Sequence, residues 1–233
     1  MTKRLILLSL VLSTCLLVLG LGAHASRAGV FEAGSQRNTP KGEGVIVAMG
    51  NSLTAGYGIS ESEAYPALLQ KQLAADGYAY RVVNAGISGE TSSGALSRVQ
   101  WILTLKPDIV ILETGANDGF RGIDPALVEK NIDETVRILH ESGATVVLAG
   151  MQIVRNLGKE YTDAFNAIYP QVAHKHGVIL IPFFLEGVAG EPELNQADTI
   201  HPTARGYEII TQTVYPYVVK AIEKRKAKGT QNP

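Results

Sequence analysis

The chain has 233 residues, of which 45% are hydrophobic and 18% charged, with a formal net charge of −1. That balance excludes a disordered chain and leaves no electrostatic footprint for a nucleic-acid partner, while the length gives one domain room for a sizeable core. The sole cysteine, Cys15, falls in an amino-terminal apolar segment, so the remainder has no disulfide, thiolate metal site or cysteine nucleophile.

Residues 1–25 read as an export signal. Thr2-Lys3-Arg4 is basic, Leu5 to Leu21 is apolar, and Ala23-His24-Ala25 fits a small-x-small cleavage site. The apolar run is long, so an uncleaved anchor is the competing reading. Ser9, Ser13 and Thr14 within it, with the cleavage-like sequence, favour removal. Cys15 makes a poor lipoprotein site because the apolar run continues past it. A periplasmic or secreted protein is expected, with no stable membrane partner once the signal is gone. Residues 26–43 are polar, Gly-rich and aperiodic, and read as a flexible lead-in to a single domain over 44–227, with a short tail over 228–233.

Apolar runs then alternate with amphipathic stretches. Val45-Ile46-Val47-Ala48-Met49 is rich in β-branched residues and predicts a strand buried on both faces. A helix over Ala64–Ala75 follows, with Pro66 near its start and Gly77 past its end, and then a second strand, Tyr80–Val83. The pattern next predicts one helix from Ser92 to Leu105 and a third strand, Asp108–Glu113. Asp124 caps a helix that opens on Pro125, buries Val128, Ile132, Val136 and Leu139, and ends at Gly143. Strand four is Thr145–Ala149, a helix spans Lys159–His176, and strand five is Val178–Ile181. A closing helix is expected from Pro202 to about Ala227, its Lys224–Lys228 end a solvated terminus favoured by the helix dipole.

Short, uninterrupted apolar strands separated by helices predict an α/β fold, a three-layer α/β/α sandwich on a five-stranded parallel sheet. Right-handed crossovers point every strand the same way. The segments after strands one, two, three and five therefore converge on one sheet edge, where ligands bind in open α/β sheets.

That edge carries a candidate acyl-transfer site. Ser52 follows strand one and offers a hydroxyl, although Asn51 and Ser52 also suit a turn and a helix cap. Among the five histidines only His201 has a carboxylate one turn away in such a loop, in Asp198-Thr199-Ile200-His201-Pro202. Asp198 can reach one imidazole nitrogen while the other faces Ser52 as general base. In isolation that motif also reads as a capping Asp beside an incidental His. Gly89 can bring a backbone N–H close to a substrate, Asn117 can add a side-chain donor, and the Ser52 N–H makes a third oxyanion donor. Gly115 and Gly119 read as turn glycines. His174 and His176 face different sides of a helix and make a poor metal pair. No metal or cofactor is expected. No G-x-S-x-G elbow or phosphate loop occurs.

The chain resembles the SGNH (GDSL-type) hydrolases, within them the bacterial thioesterase, lysophospholipase and arylesterase branch. The resemblance lies in Gly50–Tyr57, Asn84–Thr91, Gly115–Gly122 and Asp198–Pro202, with further similarity in Tyr161–Pro170 and Ile181–Phe184, and covers essentially everything after residue 43. It implies Ser52 as nucleophile, Gly89 and Asn117 completing the oxyanion hole, and Asp198 and His201 as the other triad members. It also implies an acyl ester or thioester as the small-molecule substrate. Met151, Ile153 and Val154 line the acyl pocket by the same resemblance, or else form an ordinary core edge after strand four. One departure stands out: the family pattern has Asp immediately before the serine, and this chain has Asn51. The triad carboxylate is Asp198, so altered rate or pH dependence is expected rather than loss of activity. The expected function is an exported esterase or thioesterase; the alternatives are a cell-envelope carbohydrate O-acetyl esterase and a catalytically weak binding module.

Overall fold

The computed structural model describes residues 44–153 and 157–230, with side chains through 227. The expected signal and lead-in, Val154 and residues 231–233 lie outside the described residues.

Five strands form the sheet: β1 (Gly44–Gly50), β2 (Tyr80–Gly86), β3 (Ile109–Glu113), β4 (Thr145–Ala149) and β5 (Ile179–Ile181). All pairings are parallel, in the order β2-β1-β3-β4-β5. This flavodoxin-like order reverses direction beside β1, so the carboxyl ends of β1 and β3 frame the switch-point crevice.

Nine helices connect or flank the strands among the described residues. They are α1 (Ser52–Ala55), α2 (Tyr65–Ala75), α3 (Ser92–Ser97), α4 (Val99–Thr104), α5 (Ala116–Phe120), α6 (Pro125–Glu141), α7 (Lys159–His176) and α8 (Ala204–Thr230), with a 3-10 turn at Glu61–Glu63. The α2 and α8 helices pack together on one face; α3, α4, α6 and α7 cover the other. That division is what right-handed crossovers demand once β2 lies on the opposite side of β1 from β3. Every residue of β3 and β4 is buried, as expected of strands covered on both faces. Ile46, Met49, Ile111, Leu148 and Phe165 belong to one continuous core.

Several boundaries differ from the sequence reading, each because specific pairings or hydrogen bonds set them. β2 runs on to Gly86 because Asn84, Ala85 and Gly86 keep register with Ala48, Met49 and Gly50. The single helix expected from Ser92 breaks at Arg98, whose backbone (φ −108°, ψ 5°) leaves the helical region. Its guanidinium there grips Glu90 at 2.6 and 2.7 Å and donates to the Gly50 carbonyl at 3.3 Å. The closing helix starts at Ala204, not Pro202. Pro202 instead bridges Asn195, and Thr203 Oγ1 accepts the Gly206 N–H inside the first turn.

The basic end of α8 is not simply solvated. Lys224 donates to the Gly177 carbonyl, while Arg225 donates to Gly143 O and pairs with Asp108 Oδ1 at 2.5 Å. Asp108 Oδ2 also accepts the Val45 N–H, joining the starts of β1 and β3 to the last turns of α8. Gly115 is more than a turn glycine. At φ +102° it starts α5, and a Cβ there would collide with Tyr169, whose hydroxyl donates to Thr114 O at 2.8 Å.

Candidate active site

The turn after β1 is built around two side chains of opposite duty. Asn51 Oδ1 accepts the Leu53 N–H at 2.9 Å and caps α1, so the capping reading holds. Ser52 opens the same helix, its N–H among the first-turn donors that no intrahelical carbonyl can satisfy. Beneath them lies Glu113, fully buried at the end of β3. Its carboxylate accepts from Asn51 Nδ2 at 2.6 Å, from the Asn51 N–H at 3.1 Å and from Thr54 Oγ1 at 3.0 Å. Burial pushes the Glu113 carboxyl up to about 7, against the pull of those three donors. Gly50 is required by this packing, because a Cβ there would strike Thr54 Oγ1 and come within 2.6 Å of Glu113 Oε2.

The carboxyl-terminal loop delivers an imidazole. His201 Nε2 lies 2.9 Å from Ser52 Oγ, and Nδ1 lies 2.6 Å from Asp198 Oδ2. Asp198 Oδ1 accepts the backbone N–H groups of Ile200 and His201, both at 2.9 Å, in a tight turn that puts Thr199 at φ +62°. Those backbone bonds, the His201 N–H foremost, together with the imidazole hold the Asp198 carboxyl at about 2. Gln196 latches this loop to the segment after α1, donating to Tyr57 O at 2.8 Å and Pro202 O at 3.0 Å. The Tyr57 ring leans on the His201 ring, centroids 4.6 Å apart.

Asn117 sits in α5 rather than in an open loop. Its Nδ2 donates to Glu90 O at 2.9 Å, which fixes the amide and leaves a second N–H hydrogen on the same nitrogen. The adjoining Asp118 accepts from Ser92 N and Oγ, and Asn131 donates to that hydroxyl, so α5 is pinned to α3 and α6. Gly89 adopts φ +80° in the turn after β2, one residue before the carbonyl that orients Asn117. Its own carbonyl accepts from Arg121 at 3.1 Å.

Ser52, Asn117 and His201 share the wall of a cavity of about 550 Å³, inside the range of small-molecule sites. Met151 and Ile153 line it with Leu53, Phe120 and Phe183, so the segment after β4 borders the cavity. Gly89 and Asp198 do not line it: one stands at the turn holding Asn117, the other behind the imidazole. Among the described residues no three His, Cys, Asp or Glu side chains gather as metal ligands.

Sequence reasoning missed Glu113, Gln196 and the Arg98–Glu90 pair. Glu113 closes an otherwise apolar strand, and a carboxylate in that setting was the available signal. Gln196 and Arg98 gave none, since Tyr57 and Gly50 lie far away in the chain and the eight-residue spacing of Glu90 and Arg98 matches no local pattern.

A doubly wound sheet bearing serine, histidine and a hydrogen-bonded aspartate at its carboxyl rim defines a class of ester-cleaving α/β/α enzymes. Comparison with known proteins agrees. The model of the GDSL-like Lipase/Acylhydrolase family matches residues 48–209. Esterase TesA of Pseudomonas aeruginosa is 42% identical over 172 residues, covering 73% of this chain and 86% of that one. The Thioesterase 1/protease 1/lysophospholipase L1 of Escherichia coli is 39% identical over 158 residues, covering 67% and 74%. Among solved structures, the psychrotrophic esterase EstA from Pseudoalteromonas sp., inhibited by monoethylphosphonate, superposes with TM-score 0.74 at 31% identity, covering 78% of this chain and 100% of that one. The chain belongs to the GDSL-like lipase/acylhydrolase (SGNH hydrolase) family and is a carboxylic ester hydrolase.

Proposed function

We propose that the protein is an exported serine esterase and thioesterase working through an acyl-enzyme, with Ser52, His201 and Asp198 as its triad. The observation that carries this reading is the hydrogen-bonded chain Ser52 Oγ–His201 Nε2, His201 Nδ1–Asp198 Oδ2 at the mouth of an apolar cavity. In the proposed mechanism His201 takes the Ser52 proton as Oγ attacks the acyl carbonyl. The oxyanion draws on the N–H groups of Ser52 and Gly89 and on the remaining Asn117 hydrogen, each worth roughly 100- to 1000-fold in rate. His201 then hands the proton to the departing alcohol or thiol. Water, deprotonated by the same imidazole, attacks the acyl-enzyme; the acyl–Oγ bond breaks, His201 returns the proton to Ser52, and the acid leaves. Asp198 stays anionic throughout and fixes the tautomer.

The apolar lining from Met151, Ile153 and Phe183 supports acyl chains longer than acetyl and weighs against the carbohydrate O-acetyl esterase. The phosphonate inhibition of EstA, a serine-directed chemistry, supports the nucleophile assignment by likeness. No helix among the described residues is long and apolar enough to cross a membrane. Export rests on the signal-like residues 1–25 and is tested by fractionation and by the amino-terminal sequence of the mature chain.

Hydrolysis of nitrophenyl esters from acetyl to palmitoyl, beside a Ser52→Ala control, tests the activity. Turnover that persists past acetyl and disappears with Ser52 is the expected result. Activity confined to acetyl would favour the O-acetyl esterase, and failure of a phosphonate to label Ser52 would favour a binding module.

A further inference from the structure

The residue before the nucleophile is an amide where the family pattern has a carboxylate, and the surrounding donors show what that exchange does. Two backbone N–H groups face the ends of the Asn51–Glu113 pair. Leu53 N donates to the outer atom of residue 51, and Asn51 N donates to the outer oxygen of residue 113. Both outer positions must therefore be acceptors. Between them, the inner atoms meet at 2.6 Å and must be one donor and one acceptor. Asn51 with Glu113 meets all three conditions: amide oxygen out, amide nitrogen in, carboxylate oxygens at both ends. Two amides cannot, because each would turn its nitrogen inward against the other. Two carboxylates can do so only with a proton held between them.

We propose that Asn51 and Glu113 form an obligatory amide–carboxylate pair that positions the Ser52 turn, and that the amide before the serine frees this enzyme from a proton that an aspartate there would require. The pair acts on geometry and touches no substrate through Glu113. It rests on the serine-hydrolase reading above only in so far as turnover reports it.

The surroundings make the proton count matter. Glu113 is fully buried, and the titratable groups around it are Tyr65 from α2, Tyr169 from α7, Tyr207 from α8 and Glu90 from the turn after β2. The tyrosines are all raised by burial and stay neutral, and Glu90 is already paired with Arg98. The cation beside this turn, Arg98, donates to the Gly50 carbonyl, but its charge is already offset by Glu90, so a second negative charge at residue 51 would go uncompensated. In Asn51→Asp, two carboxyls at this separation hold one proton at neutral pH and release it only in alkali, where two buried anions then repel across the turn.

The experiment compares the wild type, Asn51→Asp, Glu113→Gln and the swapped double variant Asn51→Asp/Glu113→Gln. Thermal midpoint and kcat are followed from about pH 6 to about pH 10. In the double variant an aspartate oxygen caps Leu53, the other accepts from the glutamine amide, and the glutamine oxygen takes the remaining donors, so every bond returns with the roles exchanged. The wild type and the double variant are expected to hold an alkaline plateau. For Asn51→Asp, kcat should fall about tenfold per pH unit beyond loss of the shared proton, with KM little changed and the thermal midpoint dropping alongside. Glu113→Gln should be impaired at every pH. An Asn51→Asp profile parallel to wild type, or a double variant no better than its worse parent, would overturn the proposal. If Asn51→Asp does not fold, recovery of fold and turnover in the double variant still decides it. Thermal midpoints need no substrate, so failure of the pair is separable from failure of the serine-hydrolase reading, which Ser52→Ala reports.

Discussion

Ser52 Oγ and His201 Nε2 lie 2.9 Å apart although 149 residues separate them in the chain. Parallel strands with right-handed crossovers make that meeting cheap in architecture: every post-strand segment returns to the same rim. Gln196 then ties the His201 loop to Tyr57, whose ring leans on the imidazole.

Asp198 is expected to act by holding the imidazole. Asp198→Asn should lower kcat on the order of 10⁴-fold while leaving substrate binding nearly intact. Its carboxyl sits at about 2, below its ordinary 3.8, because three hydrogen bonds favour the anion. The sign follows: its contribution to stability is present above pH about 3.8 and is lost as pH falls through about 2. Acid-unfolding curves of wild type and Asp198→Asn should therefore differ at about pH 4 and converge toward about pH 2.

Asn117→Ala removes one proposed oxyanion donor and the bond to Glu90 O. A fall of roughly 100- to 1000-fold in kcat is expected, with a much smaller change in KM. Steady-state kinetics on one nitrophenyl ester read this directly. Equal losses in both constants would point instead to a collapsed pocket.

The Arg98–Glu90 pair is largely buried, the two side chains being 12% and 5% exposed. Arg98→Met should leave Glu90 as an unpaired buried carboxylate and cost about 3–5 kcal/mol in urea unfolding. Because Arg98 also reaches the Gly50 carbonyl and Glu90 orients Asn117, kcat should fall in the variant even where it remains folded.

Met151 is nearly fully buried and borders the cavity. Met151→Trp should fill part of the acyl space, shifting the nitrophenyl ester preference toward short chains by about tenfold or more while acetyl hydrolysis persists. An unchanged chain-length profile would assign Met151 to the core edge alone.

Much of this was legible in the sequence because it is written locally. Runs such as Ile109–Leu112 and Val146–Leu148 name buried strands, and the spacing of Asp198 and His201 already permits their bond. What stayed hidden depends on contacts that no local pattern announces, most of them between residues distant in the chain. The break in the Ser92 helix needs Glu90 and Gly50 to draw Arg98 away from helical backbone. The α5 helix at Asn117 needs Ser92 to anchor Asp118 and Tyr169 to press against Gly115. The role of Asn51 needed Glu113, whose place at the end of a strand shows no partner until the sheet is assembled.

Arg225, Asp108 and Val45 fasten the beginning of the folded domain and its last helix together at the amino ends of the strands, the pole opposite Ser52. Tethering the enzyme to a bead or surface near either of those points would leave the catalytic mouth facing outward into bulk solution.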